Sequence, residues 1–409
     1  MKSNEMAQWQ ATLKHELIHA FVFSSSLYPK FVGASRIYLP EGQNQSSVDE
    51  KIIPGVVERF VRQDWEAASG FIPHEVYMIV TPRVREEARK HFSCPSLEGA
   101  ELENQGGVGS VGSHWEKRVF ENEAMSAVAT QVYALSRLTL ALLEDSGWYE
   151  VNYDKAESML WGRGLGCNFA KRSCLTWMKS NSANPYPFCT LYDDARCSAN
   201  RMAKVRCNLQ LAQYDALPSE YNYNIRNLYH DGKGKEMFGI GSVEQADFCP
   251  YYRVYGELSR EDSDTRCTYS GNSNYNNYSL EVFSPTARCF QILDGILVKS
   301  THAIITYAHK VGCYENVCKD NRLLIKTQNS KFYPCYHGGQ FIHVEKRVPE
   351  IGIVQFRIVC PSCSEICGQQ FCAPDDFGGR KIGDPTRSEA IRDGAAVPLF
   401  VLLVMYRFQ

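Results

Sequence analysis

The chain has 409 residues, 44% of them hydrophobic and 22% charged, an ordinary globular composition with length enough for two or three domains and a sizeable core. Its formal net charge of −2 leaves no basic excess to neutralise phosphates, which excludes nucleic acid as a partner. Of its 16 cysteines all but Cys94 lie between Cys167 and Cys372, a density that predicts a disulfide-stapled region folded in an oxidising compartment.

Residues 1–10 carry no apolar h-region and no cleavage site, so they are not a signal peptide. A cysteine-rich body without an export signal predicts a natural chain that begins upstream of Met1; taken alone, the missing signal gives a cytoplasmic location as the alternative to the secretory pathway or cell surface. Residues from about Asn4 to Phe23 read as one amphipathic helix, with Leu13, Leu17, Ala20 and Phe21 at helical spacing. Ser24 to Gly70 is mixed and polar and reads as a long insertion. Val76–Val80 is a strand candidate, and Thr81-Pro82 then supplies an N-cap and a first-turn proline for a helix to about Phe92.

A glycine cluster follows, Gly106-Gly107-Val108-Gly109 and Gly112-Ser113-His114, which permits close backbone approach. Ser126 to Ser146 reads as a long apolar helix stopped at Gly147. Beyond Trp161 the chain turns to cysteines, tyrosines and short strand-like runs, so a second domain is expected from Gly162. Asn44 and Asn277 begin glycosylation triplets, a weak signal. Residues after about Ala373 read as a poorly ordered tail; its apolar run 398–406 is about half the length that spans a bilayer, and is the candidate for any membrane association.

The chemistry is carried by His15-Glu16-Leu17-Ile18-His19, an H-E-x-x-H motif. Residues four apart share a helix face, so both imidazoles can reach one Zn²⁺ with Glu16 beside them as a base. Apolar neighbours (Leu13, Leu17, Ile18, Ala20, Phe21) place these histidines near a core, which favours a ligand role over two solvated surface histidines. A zinc protease needs a third protein ligand, and two residues compete for it. His114 follows the glycine cluster and is itself followed eleven residues later by Met125, the order of a third histidine and a methionine turn. Glu123 is the rival, but no acidic partner follows it to orient a ligand histidine, so His114 is preferred. Met125 has the alternative reading of core filler. Cys360, Cys363, Cys367 and Cys372 have spacings compatible with a Cys₄ zinc site, although disulfides are favoured among so many cysteines.

Longer runs carry a family resemblance. They include Thr81–Val84, Glu86–Phe92, Cys94-Pro95, Glu101–Gly109, His114–Arg118, Glu121–Met125, Glu144–Tyr149, Trp161–Gly164, Gly241–Glu244, Ala246–Pro250, Gly312-Cys313 and Cys360–Cys363. Across roughly residues 10–372 the chain resembles the leishmanolysin-type metallopeptidases of the metzincin clan, in particular their animal leishmanolysin-like (invadolysin) subgroup. The resemblance implies His15, His19 and His114 as ligands of one Zn²⁺ per chain, Glu16 as general base, Met125 as the turn methionine, and protein or peptide substrates. It implies an α+β fold: a metzincin-like catalytic domain that lacks most of its N-terminal sheet subdomain, followed by a disulfide-rich mixed C-terminal domain. The matching division is an active-site helix (1–24), a central subdomain with the third ligand (25–161), a cysteine-rich domain (162–373) and a tail (374–409). One departure stands out. The family pattern has glycine three residues after the second histidine, where this chain has Val22; if that position is left-handed, a β-branched residue there costs on the order of 1–2 kcal/mol. That departure and the expected lack of the upstream sheet motivate the alternative reading, a catalytically impaired adhesion or interaction protein using the cysteine-rich domain.

Overall fold

The structure, a computed structural model, describes residues 3–34, 51–128, 133–192, 194–211, 217–224, 239–254, 265–272 and 277–373. Asn44, His230 and the apolar tail therefore lie outside the described residues.

Helix α1 (Ser3–Phe21) contains good helix formers such as Met6, Gln10, Leu13 and Lys14. Its core-facing side is not the one expected from Leu13, Leu17, Ala20 and Phe21. Those four are exposed, as are Met6 and Trp9, while Ile18 and Val22 are buried. Two apolar stripes compete on this helix, and the one that also carries His15 docks on the core. The helix closes where the Val22 and Phe23 amides both donate to the Ile18 carbonyl, at 2.9 and 3.0 Å. Val22 is not among the described residues with positive φ, and its side chain is fully buried. The expected left-handed strain at this position is absent; Val22 is a core residue.

Strands β1 (Val57–Ala67) and β2 (Gly70–Ile79) form an antiparallel hairpin, and β3 (Ala100–Glu101) adds to β2. The 76–80 strand lies within β2, whereas β1 occupies part of the stretch expected to be an irregular insertion. Two features hid it. A bulge between Arg62 and Trp65 breaks the alternation, and Arg62 points inward, where both Nη atoms donate to the Glu98 carboxylate at 2.8 and 3.0 Å.

Helix α2 (Pro82–Phe92) begins and ends as predicted, but Thr81 makes no side-chain cap. The Arg83 and Val84 amides instead donate to Asp145 Oδ2, at 2.9 and 3.0 Å. The short helix α3 (Lys117–Phe120) follows His114. The long helix expected over 126–146 is only α4 (Arg137–Asp145), opened by the Ser136 hydroxyl accepting from the Leu138 amide. Upstream of Ser136, Asn122 and Ala124 pair with Ala134 beside a buried carboxylate, through Ala124 N to Ala134 O and Ala134 N to Asn122 O.

Helices α5 (Gly166–Lys171) and α6 (Cys174–Ser180) precede small sheets made of β4 (Ala195–Cys197), β5 (Lys204–Cys207), β6 (Leu209–Leu211), β7 (Gly239–Gly241) and β8 (Tyr252–Val254). One apolar core reaches from Ile18 to Tyr252 and so passes through residue 162. A second core, Leu280 to Cys372, fills a 7-stranded antiparallel sheet. Its strands are β9 (Arg288–Lys299), β10 (Ile304–Tyr307), β11 (Val311–Lys319), β12 (Arg322–Lys326), β13 (Tyr333–Cys335), β14 (Phe341–Val348) and β15 (Gly352–Val359). Helix α7 (Cys363–Cys367) closes the sheet with a Ser362/Glu365 capping box, and Glu365 also accepts from Arg201 at 2.8 Å.

Every cysteine is paired, in eight disulfides. Cys363–Cys372, Cys335–Cys360 and Cys318–Cys367 consume the candidate Cys₄ set, so no zinc sits there. Such a framework belongs to an oxidising, extracellular or cell-surface setting. Asn277 Nδ2, the atom a glycan would occupy, donates to Glu281 O at 2.7 Å and Gln328 Oε1 at 3.1 Å. Among the described residues, no helix is long and apolar enough to cross a membrane.

Candidate metal centre

The fold brings His114 to the two helix histidines. His15 Nε2 lies 3.0 Å from His19 Nε2 and 3.1 Å from His114 Nε2, and the third edge is also 3.1 Å. Each ring turns its other nitrogen to a backbone carbonyl: His15 Nδ1 to Ala124 O at 2.7 Å, His19 Nδ1 to Phe23 O at 2.7 Å, and His114 Nδ1 to Ser110 O at 3.1 Å. A carbonyl only accepts, so each Nδ1 holds the proton and each Nε2 presents a lone pair. Burial lowers the pKa of His15, and pulls that of His114 down to about 4, which keeps these two imidazoles neutral at pH 7.

Three inward lone pairs with no proton between them repel. A cation at their centre turns the repulsion into coordination, and a triangle of this edge lets one ion approach all three nitrogens to about the 2.0–2.1 Å of a Zn–N bond. The donor set therefore fits zinc.

Helical spacing accounts for His15 and His19; the placing of His114 takes more of the chain. The loop before it is tight: Gly106 has φ +83°, and a Cβ there would sit 2.6 Å from Gln245 Nε2 and 2.9 Å from Ser110 Cβ. Trp115, next in sequence, packs its ring edge-on to Phe23 at 4.6 Å, joining the loop to the end of α1. Trp115 Nε1 donates to Thr139 Oγ1 at 2.9 Å, and that hydroxyl donates to Glu123 Oε1 at 2.6 Å. Glu123, the rival ligand, is thus spent on structure. It is fully buried, and it also accepts from the Ser136 hydroxyl at 2.7 Å and from the Met125 amide at 2.5 Å. Burial raises its pKa, while the hydrogen bonds pull the other way.

Met125 is fully buried and follows Ala124, whose carbonyl receives His15. Glu16 is exposed, one residue along the helix from His15. Beside His19 an open cleft of about 470 Å³ runs between Phe23, Ser24 and Leu27 on one side and Val108, Gly109 and Ser113 on the other. The carbonyls of Ser110, Phe23 and Ala124 and the Glu123 network went unnoticed in the sequence. A backbone carbonyl leaves no residue-type signal; Glu123 left one and it pointed to the wrong role.

The leishmanolysin (peptidase M8) family profile matches residues 3–373. The chain is 36% identical over 402 residues to a leishmanolysin-like peptidase of Caenorhabditis briggsae, covering 93% of this chain and 60% of that protein. It is 38% identical over 394 residues to the leishmanolysin-like peptidase of Drosophila melanogaster, covering 91% and 57%. With leishmanolysin of Leishmania major it shares 28% over 317 residues, covering 73% and 46%. The chain spans about 60% of the length of the leishmanolysin-like relatives it matches. A profile that covers nearly all of the described residues, with relatives of this identity, places the chain in the leishmanolysin family of zinc metallopeptidases.

Proposed function

We propose that this chain carries the catalytic centre of a zinc-dependent endopeptidase. In this reading His15, His19 and His114 are the protein ligands of one Zn²⁺, Glu16 is the general base and Met125 is the turn residue beneath the site. The observation that carries the proposal is the triangle of three Nε2 atoms 3.0 to 3.1 Å apart, each ring oriented by a carbonyl at its Nδ1. Bound zinc supplies Lewis-acid polarisation of a scissile carbonyl and a lowered pKa for the attacking water.

The chain's own residues do the rest. Glu16, held beside the ligands by the helix, takes a proton from the attacking water and returns it to the leaving amine. The carbonyls of Ala124, Phe23 and Ser110 hold each imidazole in the tautomer that can ligate. The cleft beside His19 gives a substrate side chain room next to the reacting atoms. Peptide bonds of proteins are the proposed substrates. Val22, one of the two grounds for the impaired, non-catalytic alternative, is unstrained.

Metal analysis tests the ligand set. His114→Ala should lose one zinc equivalent relative to the native chain; unchanged zinc content in that variant would overturn it.

A further inference from the structure

Away from the three histidines lies a second group of buried polar atoms. His74 on β2, Glu101 on β3 and Asp247 each offer a ligand atom, and these atoms lie within 4.8 Å of one another. All three side chains are buried, His74 at 5% exposure, Glu101 at 2% and Asp247 at 0%. One atom of each has no hydrogen-bond partner: His74 Nε2, Glu101 Oε1 and Asp247 Oδ1. Buried polar atoms left unpaired are costly, so three converging on one place need an explanation.

The opposite oxygens are accounted for. Arg118 Nη2 donates to Glu101 Oε2 at 2.9 Å, and Arg118 Nε donates to Asp247 Oδ2 at 3.0 Å. The same guanidinium also donates to the carbonyls of Phe169 and Arg172, which fixes it in place. The His74 ring is stacked on Trp65 at 3.9 Å, so its direction is fixed too. Glu103 and Glu116, both buried, lie within electrostatic reach of Asp247. Arg118 faces Glu101, Asp247 and Glu116, and the buried Lys117 ammonium lies within reach of Glu103, so four buried carboxyl groups share two cations and leave room for a further positive charge.

We propose that His74, Glu101 and Asp247 form a second, fully buried site for a divalent cation of the zinc or manganese class. The donor set sets that class: one imidazole with two carboxylates suits a borderline transition ion, whereas calcium and magnesium favour all-oxygen shells. Arg118 is the outer partner that orients both carboxylates toward the ion. Because Glu101 sits on β3 and Asp247 follows β7, the ion would tie the first sheet to the chain beyond residue 240, a structural rather than a catalytic role.

The test is independent of the three-histidine centre. The His15→Ala/His19→Ala/His114→Ala variant of the full chain, stripped with chelator and dialysed against zinc or manganese, should retain about one equivalent of metal and melt at a higher temperature with metal than without. Adding His74→Gln should abolish both. A triple variant that holds no metal and melts alike in both conditions would overturn the proposal and assign the neutralising charge to protons on the carboxyl groups. Should the triple variant not fold, His74→Gln in the otherwise native chain should lose one equivalent of metal; unchanged metal content would be equally fatal.

Discussion

The imidazole Nδ1 of His15 donates to the carbonyl of Ala124 at 2.7 Å, which ties the helix carrying two of the histidines to the turn that Glu123 organises. Glu123 therefore supports the candidate metal centre from outside it. Glu123→Ala leaves the Met125 amide and the Ser136 and Thr139 hydroxyls without their buried acceptor, and frees the Ala124 carbonyl to move. Loss of such a supporting partner should weaken zinc binding by about 10–100-fold, measured by chelator competition. Native affinity in Glu123→Ala would show that the turn needs no such support.

Val22 is expected to be better than the glycine it replaces in the family pattern. Val22→Gly removes a fully buried side chain and adds backbone freedom, and should destabilise the fold by about 2–4 kcal/mol. Chemical denaturation checks this through the unfolding midpoint. A midpoint equal to or above that of the native chain would restore the idea of a strained left-handed turn.

Cys197–Cys289 links β4 to β9 across 92 residues of sequence, within a small third apolar cluster that includes Cys267, Ala287, Val311 and Cys313. Replacing both cysteines by serine should cost about 2–5 kcal/mol and expose the 7-stranded sheet to proteolysis before the first core. Limited proteolysis with mass mapping reads the order of cleavage. Simultaneous digestion of both halves would argue against separate cores.

Below neutral pH, His91 should be a source of instability. Its Nε2 donates to the Trp161 carbonyl at 2.7 Å; burial is the main cause that lowers its pKa to about 4, with the Arg163 charge adding to it. Between about 4 and 6.5 the unfolded chain binds a proton here that the folded chain refuses. The contribution is thus fully present above pH 6.5 and is lost as pH falls toward 4. His91→Gln keeps a donor for Trp161 and removes the titration, so its melting temperature should fall less between pH 7 and pH 5 than that of the native chain. Parallel curves would remove His91 from the account.

What was legible in the sequence were features fixed by local rules. The H-E-x-x-H helix, the proline-opened α2 and the Gly147 stop follow from spacing, φ restriction and left-handed tolerance, and each was in place. His114 was found because a glycine loop and a later methionine flank it. What failed was decided by tertiary partners. Arg62 turned inward to meet Glu98 and disguised β1; Glu123 gathered Ser136 and Thr139 and cut short a helix that its apolar sequence favoured. The orientation of α1 failed for a related reason: Leu13, Leu17 and Phe21 form a stripe as apolar as the one that Ile18 and Val22 bury, and only the position of the Ala124 carbonyl and its core decides between them.

The central claim, peptide hydrolysis at the three-histidine centre with Glu16 as base, is tested most directly by comparing the native chain with Glu16→Ala for zinc content and for cleavage of a quenched fluorescent peptide. The Glu16 side chain is exposed and accepts no hydrogen bond among the described residues, so the variant should fold and keep its zinc. Cleavage should fall by about 10²–10⁴-fold. Equal cleavage by a zinc-loaded Glu16→Ala chain would contradict the account.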